Sequence, residues 1–368
     1  MPSILPYSKN PTFATRYIRP EKLFLFLEEN YSDQITVIGH SVLGQPIYRM
    51  RLGNGKLKVL AWSQMHGNES TGTLAMLDLL HSLKENPGLQ NELFKTLTLD
   101  FIWMLNPDGS AKWTRRNALD IDMNRDFLKV SSKEFAILKE TATSGSYDYA
   151  LNLHDQRTIF TTDGEYPATL SFLAPSVNVE REITEVRKKC MAVISRIYKS
   201  LQDDLPKQVA RYSDEFYPTS TGDNFSKMGL PTILFEGGYY QEDYYRVHTR
   251  KYFTQALFEA LKAISELKGS TDGWEAYLEI PLNKETHYDL IYRNVKLSLE
   301  YECILDIAVQ YREMIQENED EISFVPVVME VGDVGNKKGW KEIDCTGKKF
   351  ISARKFPKLD EPVDFRIE

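Results

Sequence analysis

The stretch "QMHGNES" carries His66 and Glu69 three residues apart at a turn that opens a helix, a spacing that can aim an imidazole and a carboxylate at one point. The pair alone is a weak signal. Six histidines among 53 acidic residues in 368 give about one such pair by chance, and a carboxylate at a helix N-terminus is favoured by the dipole in any case. Two further residues sharpen it. His154 closes the apolar run "YALNLH" and Glu236 closes "TILFEG", and both interrupt segments where an unpaired polar side chain would be costly. Two histidines and one carboxylate with an open fourth position form a catalytic zinc set. One more glutamate can then serve as general base on the metal-bound water.

A second concentration of chemistry lies in "MLNPDGSAKWTRRNALDIDMNRDF", residues 104–127, which holds Arg115, Arg116, Asn124 and Arg125. It opens on a Pro-Asp-Gly turn signal and is too punctuated for a helix. A solvated surface loop would explain the arginines. An anionic ligand beside the first group of residues would explain them as well.

For these residues to meet, strands must deliver them to one crevice, because ligands of an open α/β sheet collect beyond the carboxyl ends of its strands. The segments "KLKVLAWSQ" (56–64), "LTLDFIWML" (97–105), "YDYALNLH" (147–154) and "PTILFEGG" (231–238) read as buried strands. Residues 71–85 read as a helix with Leu74, Leu77 and Leu80 near one face, and residues 180–201 and 248–268 as two more helices. The alternation predicts an α/β domain over residues 1–268, a mixed, mostly parallel sheet flanked by helices. "KGSTDGWEAY" is a linker signature. The strand-like segments "EAYLEIPL", "LIYRNVKLSL", "ISFVPVVMEVG" and "KKFISARKF" then predict a small β-rich accessory domain over 274–368.

Composition excludes several classes of function. A net charge of −8 provides no basic face for nucleic acid or an anionic membrane. Cys190, Cys303 and Cys345 are far apart without a Cys-x-x-Cys spacing, so neither a disulfide framework nor a thiolate zinc site is expected. The first twenty residues lack an apolar core of signal-peptide length, and no later run is long enough to span a bilayer, so a cytoplasmic protein is expected. Composition leaves the oligomeric state open.

"GHSVLGQPIYRMRLG" (39–53), "MHGNE", "NPDG", "TRRNALDIDMNRDF", "NLHD" and "ILFEGG" occur in the order and context of the zinc carboxypeptidases. Over roughly residues 20–265 the chain resembles that family, the funnelin fold. The short spacing between "NPDG" and "NRDF" looks like the bacterial murein-peptide branch more than the digestive enzymes. The resemblance implies that His66, Glu69 and His154 hold one zinc ion per chain and that Glu236 is base and proton shuttle. It implies that Arg115 polarises the scissile carbonyl and stabilises the oxyanion, with Arg116 as the alternative, and that Asn124 and Arg125 clamp the substrate's free carboxylate. Asp223 falls close to the place where related enzymes put the floor of the pocket for the terminal side chain. There it would favour an amine-bearing terminal residue, unless it is a turn or N-cap aspartate.

The chain departs from the family pattern in places. Asn68 stands where the digestive enzymes carry arginine, Gln156 where they carry tyrosine, and Asp120 where glycine is usual. Tyr212 and Tyr217 are candidates for the tyrosine that closes over substrate. The expected substrate is a peptide or amino-acid conjugate with a free carboxylate. "HGNE" is also shared with the succinylglutamate desuccinylase and aspartoacylase branch, so an N-acyl-amino-acid amidohydrolase is the alternative enzyme. A metal-free module that binds peptide termini is the alternative from another class.

Overall fold

Eight strands form the main sheet of the computed structural model, which describes residues 5–298, 302–316 and 321–368. In chain order they are β1 (Ile35–His40), β2 (Pro46–Leu52), β3 (Leu57–Ser63), β4 (Leu97–Trp103), β5 (Tyr149–Asp155), β6 (Leu170–Leu173), β7 (Val209–Arg211) and β8 (Thr232–Gly237). In space they run β1-β2-β4-β3-β5-β8-β6-β7. The centre, β4-β3-β5-β8, is parallel, whereas β1, β2 and β6 join by antiparallel pairing. This is the expected mixed sheet.

Helices cover both faces, because the side chains of a strand alternate between them. Val59, Ala61, Tyr149, Leu151, Leu153, Ile233 and Phe235 point into the larger core. There they meet α1 (Pro20–Tyr31), α2 (Thr71–Glu85), α3 (Pro87–Thr96), α6 (Glu185–Leu201) and α8 (Val247–Leu267). Leu60, Trp62, Ile102 and Ala150 point the other way, against α5 (Lys133–Ser144) and Phe225 of α7 (Thr221–Lys227). By the same alternation Asn152, His154, Leu234 and Glu236 belong to this second face. Beyond Ala150 that face opens into a cavity, and these four residues line it. The polar interruptions noticed in two apolar runs are therefore cavity-facing positions of otherwise buried strands.

The expected helices at 71–85 and 248–268 agree with α2 and α8, while α6 starts at Glu185, capped by the Thr184 side chain on the N–H of Arg187. The segment 104–127, read as too punctuated for a helix, contains the five-residue helix α4 (Pro107–Ala111) and a 3-10 turn at Met123–Arg125. Pro107 at the first helical position and the Asn106 side chain accepting from Gly109 N nucleate α4. "EAYLEIPL" is not strand-like either: Trp274–Glu279 is a 3-10 helix packed on α6, with Tyr277 buried and accepting from Ala174 N. After it, Arg211 of β7 exchanges backbone hydrogen bonds with Pro281 and Asn283, and Thr161 pairs with Lys284.

The β-rich C-terminal part is separate and has its own core of Leu290, Val295, Leu297, Ile307, Val309 and Val328. It consists of β9 (His287–Ser298), β10 (Glu302–Ile315), β11 (Ile322–Gly332) and β12 (Lys338–Asp344) in the order β11-β10-β9-β12, plus the two-stranded β13 (Phe350–Ser352) and β14 (Phe365–Ile367). Leu299, expected in a strand, lies outside the described residues. The three cysteines are free thiols. No helix among the described residues is long and apolar enough to cross a membrane.

Candidate active site

His66 and Glu69 sit in the turn between β3 and α2, and two glycines bring that turn against the next loop. A Cβ on Gly67 would lie 2.1 Å from the backbone of Gly109, and a Cβ on Gly109 would lie 2.6 Å from the carbonyl of Arg116. Only glycine permits this approach. Between the two loops, Asn106 Nδ2 donates to the carbonyls of Met65 and Arg115, each at 3.4 Å, so one buried amide spaces the His66 turn from the Arg115 loop.

At the carboxyl ends of the strands three side chains converge. Nδ1 of His66 lies 2.9 Å from Glu69 Oε1, and Nδ1 of His154 lies 2.8 Å from Glu69 Oε2. The two ring nitrogens are 3.1 Å apart. All three residues are buried, and their ligand atoms lie within 4.8 Å of one another. The other ring nitrogen of His66 faces Asp122 Oδ1 at 3.1 Å. A ligating histidine usually hands its second N–H to a carboxylate, so the donor set, its burial and its supporting acid all fit a zinc ion held by His66, Glu69 and His154. The sequence reading missed Asp122. Its signal was its place two residues before Asn124, since its side chain also accepts from Asn124 N.

The charges are tightly coupled. Burial alone would raise the Glu69 carboxyl, but the facing His66 and His154 rings hold it well below the usual carboxylate range. Burial also opposes ionisation of Asp122, yet His66 and Arg115 hold it low. Glu236 goes the other way. Burial, and then the charges of Glu69 and Asp155, push its carboxyl well above the usual range. Its Oε2 is buried without a hydrogen-bond partner, and among the described residues it makes no ion pair. A structural glutamate anchored by a cation is thus not what the fold presents here.

Arg115 reaches the centre: Nη1 is 3.2 Å from Glu69 Oε1 and Nε is 3.1 Å from Asp122 Oδ2. Arg116 turns away, its Nη1 donating to the Asp120 carbonyl at 2.9 Å. Asp120 has φ +60°, so the residue that replaces the expected glycine holds a left-handed turn, which aspartate tolerates better than most. Asn124, Arg125 and Asp223 line the same cavity of about 440 Å³ as His66, Glu69, His154 and Glu236. Asn124 Oδ1 accepts from Thr221 N at 3.1 Å. Arg125 lies 4.3 Å over the Tyr217 ring with its guanidinium exposed. Asp223 is buried in the first turn of α7, where its oxygens accept from Ser220 Oγ and from Tyr217 N. The turn-aspartate reading and the cavity-lining reading therefore hold together for this residue.

The departures from the family pattern also have places. Asn68 gives its carbonyl to Arg157, and Gln156 donates to Ser171 Oγ at 2.7 Å. Tyr212 lines the cavity, its hydroxyl held far above its usual range by burial and by the nearby Glu236 and Glu69. Tyr217 is half exposed under Arg125.

Sheet and crevice make a mixed α/β fold with a buried His-Glu-His cluster at the carboxyl ends of its strands. Residues 22–188 match the sequence profile of the zinc carboxypeptidase family. That segment holds His66, Glu69, Arg115, Asn124, Arg125 and His154, whereas Asp223 and Glu236 lie beyond it. Among curated relatives, it is 27% identical over 146 residues to carboxypeptidase 2 of Trichophyton rubrum and 29% identical over 146 residues to carboxypeptidase 2 of Trichophyton tonsurans. Each match covers 37% of this chain and 26% of the relative, so the chain matches about a quarter of their length. In fold it is similar to a metallo-carboxypeptidase from Burkholderia cenocepacia, with TM-score 0.54 and 15% identity over 67% of this chain and 68% of that one. It is also similar to thrombin activatable fibrinolysis inhibitor, with TM-score 0.54 and 14% identity over 68% and 73%.

Proposed function

We propose that the protein is a zinc-dependent carboxypeptidase that hydrolyses the amide bond next to a free C-terminal carboxylate. The observation that carries the reading is the pairing of two unlike sites: a buried His66–Glu69–His154 cluster, and beside it the half-buried Glu236, whose Oε2 is buried without a hydrogen-bond partner. Zinc, when bound, supplies a Lewis acid for the scissile carbonyl and for water.

Glu236 takes a proton from the attacking water and returns it to the departing amine. Burial has already raised its proton affinity, which suits a group that must both accept and give a proton near neutrality. Arg115 faces the carbonyl oxygen as it becomes an oxyanion, where a fixed cation contributes most. It reaches that position because Asp122 and Glu69 hold its guanidinium from one side. Arg125 and Asn124 take the terminal carboxylate. The Arg125 guanidinium is planar, exposed and propped on Tyr217, so two of its donors can meet two carboxylate oxygens. Asp223 favours a terminal side chain that carries an amine.

The test combines metal analysis with hydrolysis of a peptide library in free and C-terminally amidated forms. The reading expects about one zinc per chain and cleavage of free termini alone. Zinc without peptide cleavage but with release of N-acyl groups from amino acids would favour the amidohydrolase. Peptide binding with neither zinc nor turnover would favour the binding module.

A further inference from the structure

Glu313 projects from β10 of the C-terminal unit, yet its side chain is only 11% exposed because it enters the main domain. There it meets three groups. Its carboxylate pairs with Arg16 and, at 2.6 Å, with Arg157 Nη2, and it accepts from Trp113 Nε1 at 3.2 Å. Each partner is tied to a segment that carries the candidate site. Arg157 follows His154 by three residues, lines the cavity, and donates from Nη1 to the Asn68 carbonyl at 3.0 Å, between His66 and Glu69. The carbonyl of Arg16 accepts from the hydroxyl of Ser70, next to Glu69, at 2.6 Å. Trp113 stands two residues before Arg115 on the same loop.

We propose that Glu313 is a positioning residue: from the C-terminal β unit it clamps the turn bearing the metal ligands His66 and Glu69 and the loop bearing Arg115. The inference rests on the catalytic reading of the site. A buried ion pair adds little net stability, because desolvation offsets most of the attraction. What it does impose is direction. The Arg157 fork is rigid, so with one nitrogen on Glu313 the other is aimed at the Asn68 carbonyl. Glu313 thus joins, through single side chains, three segments that are remote in sequence and that only the fold brings together. The accessory unit completes the site without lending it a reacting group.

The test compares wild type, Glu313→Gln, Arg157→Gln and the double variant in the full chain, on three readouts. The single variants should release zinc to a chelator about ten times faster or more, as loss of a supporting contact does. They should lower kcat by a similar factor with little change in KM, and speed amide exchange over residues 66–70 and 111–117. The double variant should be no worse than either single one, since both act on one contact. A lower melting temperature with zinc release, kcat per folded molecule and exchange in those segments all unchanged would overturn the clamp and leave Glu313 as mere docking. If Glu313→Gln does not fold, Arg157→Gln decides, because it keeps the Arg16–Glu313 pair. If wild type neither holds zinc nor hydrolyses peptides, the catalytic reading fails, and the exchange data still report whether the clamp exists.

Discussion

His154 and Glu236 are register partners on the parallel strands β5 and β8, so imidazole and carboxylate leave the sheet side by side on one face. The proposed ligand and the proposed base are thereby fixed relative to one another by backbone pairing, not by a contact between them. Glu236→Gln should accordingly keep fold and zinc content. Turnover should fall by at least the roughly 10²–10⁴-fold typical of losing acid–base help, with substrate affinity little changed. Melting temperature, zinc content and kcat on one preparation check this; a stable, zinc-loaded variant with near wild-type kcat would end the mechanism.

Removing a ligand and removing its support should differ in degree. His66→Ala or His154→Ala should abolish tight zinc binding, since two ligands cannot complete the set. Asp122→Asn leaves the ligands in place and should weaken zinc by about 10–100-fold. Competition with a chromogenic chelator ranks the three, and stoichiometric, tight zinc in both histidine variants would show the site lies elsewhere.

In the proposed function Arg125 grips a group that does not react. Its loss should raise KM for peptides with a free carboxylate and leave amidated peptides nearly untouched, because the clamp holds ground and transition states alike. Steady-state kinetics of Arg125→Ala on matched free and amidated substrates measure this. An equal effect on both kinds would assign Arg125 a surface role.

Asp223 is both a turn aspartate and a wall of the cavity. Asp223→Ala should reduce preference for lysine-like terminal residues, and it should also cost about 1 kcal/mol of stability through the lost turn contacts. A scan of terminal residues in wild type and variant, with melting curves, separates the two effects. Unchanged selectivity would leave only the turn.

The Glu313 carboxyl is held down to about 2; burial opposes this, but Arg16 and Arg157 prevail. With its proton affinity lower in the folded than in the unfolded chain, Glu313 stabilises the fold above the ordinary glutamate range near 4.5. That contribution is lost as pH falls from there toward about 2. Wild type should therefore lose stability more steeply than Glu313→Gln between those limits. Denaturation at a series of pH values tests the slope, and parallel profiles would contradict it.

The site was legible where one residue type had to break a local pattern. His154 and Glu236 stood out because a buried parallel strand is otherwise apolar on both faces. His66 and Glu69 stood out because a strand had just ended there. Arg115 could be separated from Arg116 only once the Asp120 turn was seen, since adjacent residues share every sequence signal. Asp122 hid among its acidic and polar neighbours. Arg157 and Glu313 lie 156 positions apart, and no period or motif links residues that only tertiary packing brings together. The 3-10 helix at Trp274–Glu279 was mistaken for a strand because its apolar residues serve packing on α6, not a sheet face.

The hydrogen bonds between Arg211 and residues 281–283 have a practical consequence. β7 is the last strand of its sheet and only three residues long, and the connecting chain lies along its outer side as a partial ninth strand. A protein cut at the Gly-Ser-Thr stretch near residue 270 would lose that cover. Unsatisfied backbone groups on an open edge invite pairing with another molecule. The shortened chain should therefore self-associate at concentrations where the full chain does not, as light scattering would record.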